Sequence, residues 1–213
     1  LEDYRKDFNG YIPTNYKNVY HGKVTVRNAL SSSLNVPAVE LLNITGIEYS
    51  KDFAKKAGIE FDESDNNLAI ALGGMKYGTS VLKLAGAYKC FATEGIYIEP
   101  FCIEKIMDSD GNVIYQHQSE YKQVFKKSTA YLITDILCDV SKQSSNSLNK
   151  INVPVACKTG TVAYVEGNSD ALSTAYIKSH TVSVWMGYDK TDSQNHLADE
   201  VTGSTFPSKI AGD

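Results

Sequence analysis

The chain holds 213 residues, 42% of them hydrophobic and 22% charged, with a formal net charge of −4. These values sit near globular averages and exclude a disordered, collagen-like, coiled-coil or disulfide-dense chain. Of the 21 basic residues only Arg5 and Arg27 are arginines. No basic patch with arginine forks therefore argues for nucleic acid. No apolar run reaches the length of a membrane span, and the opening LEDYRKDFNGY is too polar for a signal peptide. A mature or excised segment of a secreted protein would look the same.

Residues 1–24 are polar, rich in Tyr, Asn and Gly, and are expected to be irregular. Thr25 is placed to cap a short helix, VRNALSSS. Pro37 suits the first turn of a second, PAVELLNITG, which should end near Gly46. YSKDFAKKAG reads as a third helix stopped by Gly58. A fourth follows GMKYGTSV, with Thr79 or Ser80 as N-cap and Gly95 as its stop. Its expected apolar face is Leu82, Leu84, Ala85, Tyr88, Phe91 and Ala92. FCIEKIMDSDGNVIYQHQ then reads as strand, Asp-Gly-type turn and strand, a hairpin. A further helix from Ser128 carries the stripe Leu132, Ile133, Ile136, Leu137 and Val140. A short polar stretch covers residues 141–150.

Beyond residue 150 the pattern is β. VPVACKTGTVAY, ALSTAYIKS and HTVSVWMGYDK are rich in β-branched and aromatic residues. The expected architecture is α+β: a mostly helical part over 25–150, then an antiparallel meander over 151–213, with helices packed on the sheet. Cys90, Cys102, Cys138 and Cys157 lie in apolar surroundings without a CxxC pair, so all four are expected to be buried free thiols rather than zinc ligands. His21, His117, His180 and His196 form no cluster in sequence. No metal or other cofactor is expected.

Two short motifs carry chemistry. Ser33-Leu34-Asn35 lies at a helix junction, where a Ser and an Asn alone would read as caps. Lys158-Thr159-Gly160-Thr161 lies in a strand, where a glycine alone would mark a close backbone approach. Together, in this order, they resemble the second and third signatures of serine acyltransferases that bind penicillin, a resemblance that implies chemistry needing a proton route to the leaving amine and an oxyanion hole. Ser33 can relay a proton and Asn35 can hold a substrate amide. Lys158 supplies a fixed positive charge. Thr159 and Thr161 offer hydroxyls to a carboxylate. Gly160 lets an extended peptide lie along the strand.

Six segments, in order, resemble the transpeptidase domain of penicillin-binding proteins. They are HGKVTVRNALSSSLNVPAVELL, IALGGMKYGTSVLKLAGAYKCFATEGIYIEP, KIMDSDGNVIY, PVACKTGT, TVSVWMGYD and VTGSTFPSKIAGD. The first and last favour the class A, bifunctional group. The resemblance implies the family fold, helices packed on an antiparallel sheet. It also implies a D,D-transpeptidase that acylates a serine with the penultimate D-Ala of a peptidoglycan stem peptide and passes the acyl group to an amine. β-Lactam antibiotics would acylate the same serine. The implied location is extracytoplasmic, with membrane attachment through a segment outside this chain. The backbone N–H of Thr161 is the implied strand contribution to the oxyanion hole. Cys157 takes a slot for a small residue. Trp185 and Tyr188 are expected as core and rim, and Leu72-Gly73-Gly74 as a packing or turn element.

The family's first motif, SxxK, carries the nucleophile and precedes SxN. Nothing in residues 1–32 reads SxxK. Three such strings occur later, Ser80 to Lys83, Ser119 to Lys122 and Ser147 to Lys150, at the frequency chance provides for a motif this short. Ser80 suits an N-cap, and none of the three is assigned as nucleophile. The expectation is a C-terminal portion of a transpeptidase domain that does not form an acyl-enzyme alone. Class B transpeptidases, serine β-lactamases and penicillin-sensing domains share the motif layout. A non-catalytic module that binds stem peptide is the alternative of another kind.

Overall fold

The computed structural model describes residues 1–144 and 147–213. In chain order, β1 (Glu2–Asp3) pairs antiparallel with β2 (Gly22–Lys23). Three helices follow: α1 (Val26–Ser31), α2 (Asn35–Thr45) and α3 (Ile47–Lys56). α4 is Val81–Ala92, β3 is Ile96–Tyr97, β4 is Lys105–Met107 and β5 is Val113–Gln116. Then come β6 (Lys122–Gln123), α5 (Lys127–Gln143), β7 (Ala156–Tyr164), β8 (Gly167–Tyr176), β9 (Thr181–Gly187) and α6 (Phe206–Gly212).

The helix starts follow their caps. Thr25 Oγ1 accepts from Asn28 N at 3.1 Å and starts α1. Ser80 Oγ accepts from Lys83 N at 3.2 Å and starts α4, the N-cap role expected of it. The three late strands form a β7-β8-β9 antiparallel meander with β7 at one edge. The hairpin forms as β4 and β5 around Gly111, whose φ of +86° only glycine adopts without cost.

Strand alternation builds two cores. On one face of the sheet Ala156 and Tyr176 pack with Leu137 and Val140 of α5, and with Tyr88 and Phe91 of α4. On the other face Cys157 and Ala175 pack with Leu148, Val155 and Ala211 of α6. The sheet is thus covered by helices on both faces, and α1 leans on α5. Arg27 of α1 binds Asp135 and, at 2.6 Å, Asp139 of α5. That fixes the junction after α1 relative to the edge strand β7.

Several expectations are corrected. Residues 1–24 are not irregular throughout, because β1 and β2 pair and Asp3 is fully buried. Of the expected α4 face, Tyr88, Phe91 and Ala92 pack against the core, but Leu82 is 61% exposed and the helix's fully buried residues are Gly86, Ala87 and Cys90. Small residues are buried there because Tyr97 and Pro100 crowd that side of the helix. In α5, Ala130 is buried where Leu132 was expected. Cys102 is exposed, because it leads into a hairpin standing clear of the core, and Cys138 is only half-buried. Trp185 is 41% exposed rather than core. Its indole lies over Gly187, where any side chain would collide with it, and donates to Asp170 Oδ1 at 2.8 Å. The polar stretch 141–150 starts inside α5, and its residues 145 and 146 lie outside the described ones.

Candidate active site

Ser33 owes its position to the way α1 ends. Ser33 N donates to Leu30 O, and Leu34 N donates to Ala29 O at 2.9 Å. This pair of bonds is a Schellman ending, with Ser33 at the left-handed position that glycine usually takes. Its φ is +53°. A serine there bears strain of about 1–2 kcal/mol that glycine would not.

α2 begins two residues later at Asn35. Its N-cap, Leu34, offers no side-chain hydrogen bond. The cap comes from a distant residue instead: Asn15 Oδ1 accepts from Asn35 N at 2.9 Å and from Val36 N at 3.2 Å. The Asn35 side chain donates from Nδ2 to Thr14 O at 2.8 Å. One Nδ2 hydrogen is then left for a ligand.

Lys158 reaches from β7 to the same point. Its Nζ donates to Ser33 Oγ at 2.8 Å and to Thr159 O at 2.7 Å. The two motifs, 125 residues apart, are joined by that first bond. No carboxylate pairs with Lys158 among the described residues, and burial pushes its amine below the ordinary value of 10.5, opposed by the neighbouring Cys157. Lys158 is a half-buried cation satisfied by oxygen dipoles rather than by an anion.

Ser33, Asn35, Lys158, Thr159, Gly160 and Thr161 all line one cleft of about 500 Å³. Its floor is apolar, from Val26, Leu30, Leu41, Leu72, Tyr88 and Ile133. Strand alternation turns Lys158 to the α5 side of the sheet edge and Thr159 and Thr161 to the other. At Gly160 a Cβ would meet nothing closer than Leu172 Cβ at 3.9 Å, so that side is open. Thr161 Oγ1 accepts from Gly203 N at 3.0 Å, which leaves its hydroxyl proton free to donate. Gly203 itself lies so close to β7 and β8 that a side chain would strike the carbonyls of Gly160 and Leu172.

The three later SxxK strings stay outside this cleft. Ser80 caps α4, Ser119 is half-buried beyond the hairpin, and Ser147 is buried beneath α6, where a side chain at Gly212 would strike it. Leu72 lines the cleft and Gly73, at φ +86°, ends a 3-10 turn. Thr14, Asn15 and Gly203 escaped the sequence reading, since no local pattern announces a cap or a contact supplied from far along the chain. No group of three or more His, Cys, Asp or Glu could hold a metal among the described residues, and no helix there is long and apolar enough to cross a membrane.

Comparison with known proteins agrees with this architecture. Residues 2–211 match the family described as penicillin binding protein transpeptidase domain. The chain is 41% identical to penicillin-binding protein 1F of Bacillus subtilis, over 100% of this chain and 30% of that protein. It is 33% identical to penicillin-binding protein 1A of Streptococcus pneumoniae, over 82% of this chain and 26% of that protein. The chain thus spans under a third of the length of these curated relatives. Penicillin-binding protein PonA1 from Mycobacterium tuberculosis superposes with a TM-score of 0.84 at 24% identity, covering 100% of this chain and 61% of that one. PonA1 in complex with penicillin V superposes with a TM-score of 0.82 at 25% identity, covering 96% and 59%.

Proposed function

Because the chain belongs to the penicillin-binding protein transpeptidase family, with class A relatives, we propose that it carries the acyl-donor cleft of a serine D,D-transpeptidase. The substrate is a peptidoglycan stem peptide ending in D-Ala-D-Ala, and β-lactams are its mimics. The observation that carries the reading is the Lys158 Nζ to Ser33 Oγ hydrogen bond inside the cleft.

The catalytic residues of this chain are Ser33, Asn35 and Lys158; the substrate-binding ones are Thr159, Gly160 and Thr161. The nucleophilic serine lies outside these residues, in an SxxK segment, so residues 1–213 are a partial transpeptidase domain. That serine attacks the penultimate D-Ala carbonyl. Its proton passes to the lysine of the same SxxK segment as the tetrahedral intermediate forms, and the Thr161 N–H stabilises the oxyanion. Ser33 relays that proton to the terminal D-Ala amine as the C–N bond breaks, taking one from the SxxK lysine as it gives one up, while the Lys158 cation holds its hydroxyl in place. Asn35 donates to the stem-peptide amide, and the Thr159 and Thr161 hydroxyls face the terminal carboxylate. The peptide lies antiparallel along the open edge of β7. An amine of a neighbouring strand then takes the acyl group and restores the serine. The steps use side-chain and main-chain groups alone and need no cofactor. The parent protein works outside the cytoplasm, held to the membrane by a segment outside this chain.

Fluorescent penicillin followed by intact-mass spectrometry tests the proposal. The full-length protein should gain one adduct, and its Lys158→Ala variant should acylate at least about tenfold more slowly. The 213-residue chain should remain unlabelled. A stoichiometric adduct on that chain would place a nucleophile within it. A full-length protein that binds stem peptide without acylation would make it a binding module instead.

A further inference from the structure

The segment before α1 holds a buried polar network that no catalytic role requires. Asn15 is 6% exposed and Asp3 is fully buried. Asn15 uses its whole amide. Its Oδ1 accepts from Asn35 N and Val36 N, and its Nδ2 donates to Asp3 Oδ1 at 2.6 Å and to Val19 O at 2.9 Å. The other oxygen of Asp3 accepts from His21 N at 2.9 Å and contacts His21 Nδ1 at 3.0 Å. A buried carboxylate needs such donors to offset its lost hydration. Fully satisfied networks of this kind set a single geometry.

What the network holds is the first residue of α2. Thr14 and Asn15 are adjacent, and each takes one nitrogen of Asn35: Thr14 O takes the side-chain Nδ2 and Asn15 Oδ1 takes the main-chain N. Two anchors from one dipeptide fix both the Asn35 backbone and the rotation of its amide. Since Leu34 supplies no cap of its own, nothing else at this helix end does so. Ser33, two residues earlier, is held by Lys158 and by the α1 ending. The SxN motif is therefore positioned from two sides, and the Asn15 side is separate from the lysine.

We propose that Asn15 is a positioning residue for acyl-donor recognition, with Asp3 fixing the orientation of its amide. The inference rests on the transpeptidase reading of the cleft and adds a residue that touches neither substrate nor nucleophile. A misplaced substrate amide costs the bond-making step more than the binding step.

Two measurements test it. In the full-length protein, Asn15→Ala should lower the rate constant for penicillin acylation at least about tenfold, with the binding constant changed less than the rate. Val140→Ala, a core truncation in α5 with a comparable loss of melting temperature, should change the acylation rate less than about twofold. Asn15→Asp should be as slow as Asn15→Ala, since two carboxylates then face each other. The double variant Asp3→Asn, Asn15→Asp restores a donor–acceptor pair between the two side chains but turns a carboxylate oxygen on Val19 O, so it should acylate faster than Asn15→Asp alone while staying below wild type, and it carries the test if Asn15→Ala does not fold. In the full-length protein, amide exchange at Asn35 and Val36 should accelerate at least about tenfold in Asn15→Ala and not in Val140→Ala. Wild-type acylation by Asn15→Ala, a loss no greater than that of Val140→Ala, or unchanged exchange would overturn the proposal. If the full-length wild type takes no penicillin while exchange responds as expected, the transpeptidase reading fails and the role of Asn15 at α2 stands.

Discussion

At Ser33 the backbone and the chemistry want different residues. The left-handed position after α1 favours glycine, while the cleft needs a hydroxyl against Lys158. Ser33→Gly should therefore raise stability by about 1 kcal/mol and lower acylation by about 10²-fold or more in the full-length protein. Thermal denaturation and the rate of penicillin labelling measure the two effects. A variant both less stable and less active would show that the serine is held by packing rather than by function.

Lys158 carries a cost of the same kind. Burial lowers its amine below 10.5, so the folded state binds that proton less tightly than the unfolded chain. The penalty is full below the lowered value and fades as pH climbs to 10.5, so this residue makes stability rise with pH. Lys158→Met should be the more stable protein at pH 7, and the advantage should vanish near pH 10.5. Urea midpoints at both pH values measure it. An advantage independent of pH would assign the gain to apolar packing instead of to desolvation.

At the scale of elements, Ser80 separates a structural role from a chemical one. It stands three residues before Lys83, in the spacing of a nucleophile motif, yet its oxygen accepts the Lys83 amide and starts α4. Ser80→Ala should cost about 1 kcal/mol, a fall of roughly 2–4 °C in melting temperature for a chain of this size. Penicillin labelling of the full-length protein should be unchanged. Loss of labelling without loss of stability would reverse that assignment. The helices with a cap and a glycine stop were legible from sequence, because those signals are local. The buried side of α4 was not. Leu82 looks like core by composition but is exposed, and Pro100 and Tyr97 leave no room for a side chain at Gly86. β1 and β2 were equally illegible, since two-residue strands have no period to read.

Over the whole molecule, the β meander and its covering helices follow from the change of hydrophobic period near residue 150. That change placed KTGT on a strand. SxN and KTGT were legible as motifs because each keeps its residues adjacent. Their surroundings were not: Asn15 acts on Asn35 from 20 residues away, and Gly203 reaches Thr161 from 42. Such contacts are decided by packing, and a single glycine or asparagine gives no warning of them. The two cores on opposite faces of the sheet explain why both sides of the recognition strand are held.

Gly203 gives that arrangement a genetic consequence. Its bare Cα acts as a spacer between the segment before α6 and β7, where even a methyl group would collide with Gly160 and Leu172 carbonyls. A survey of inherited variation confined to the two motifs would pass over this position, although a codon change there pushes directly on the strand that carries one of them.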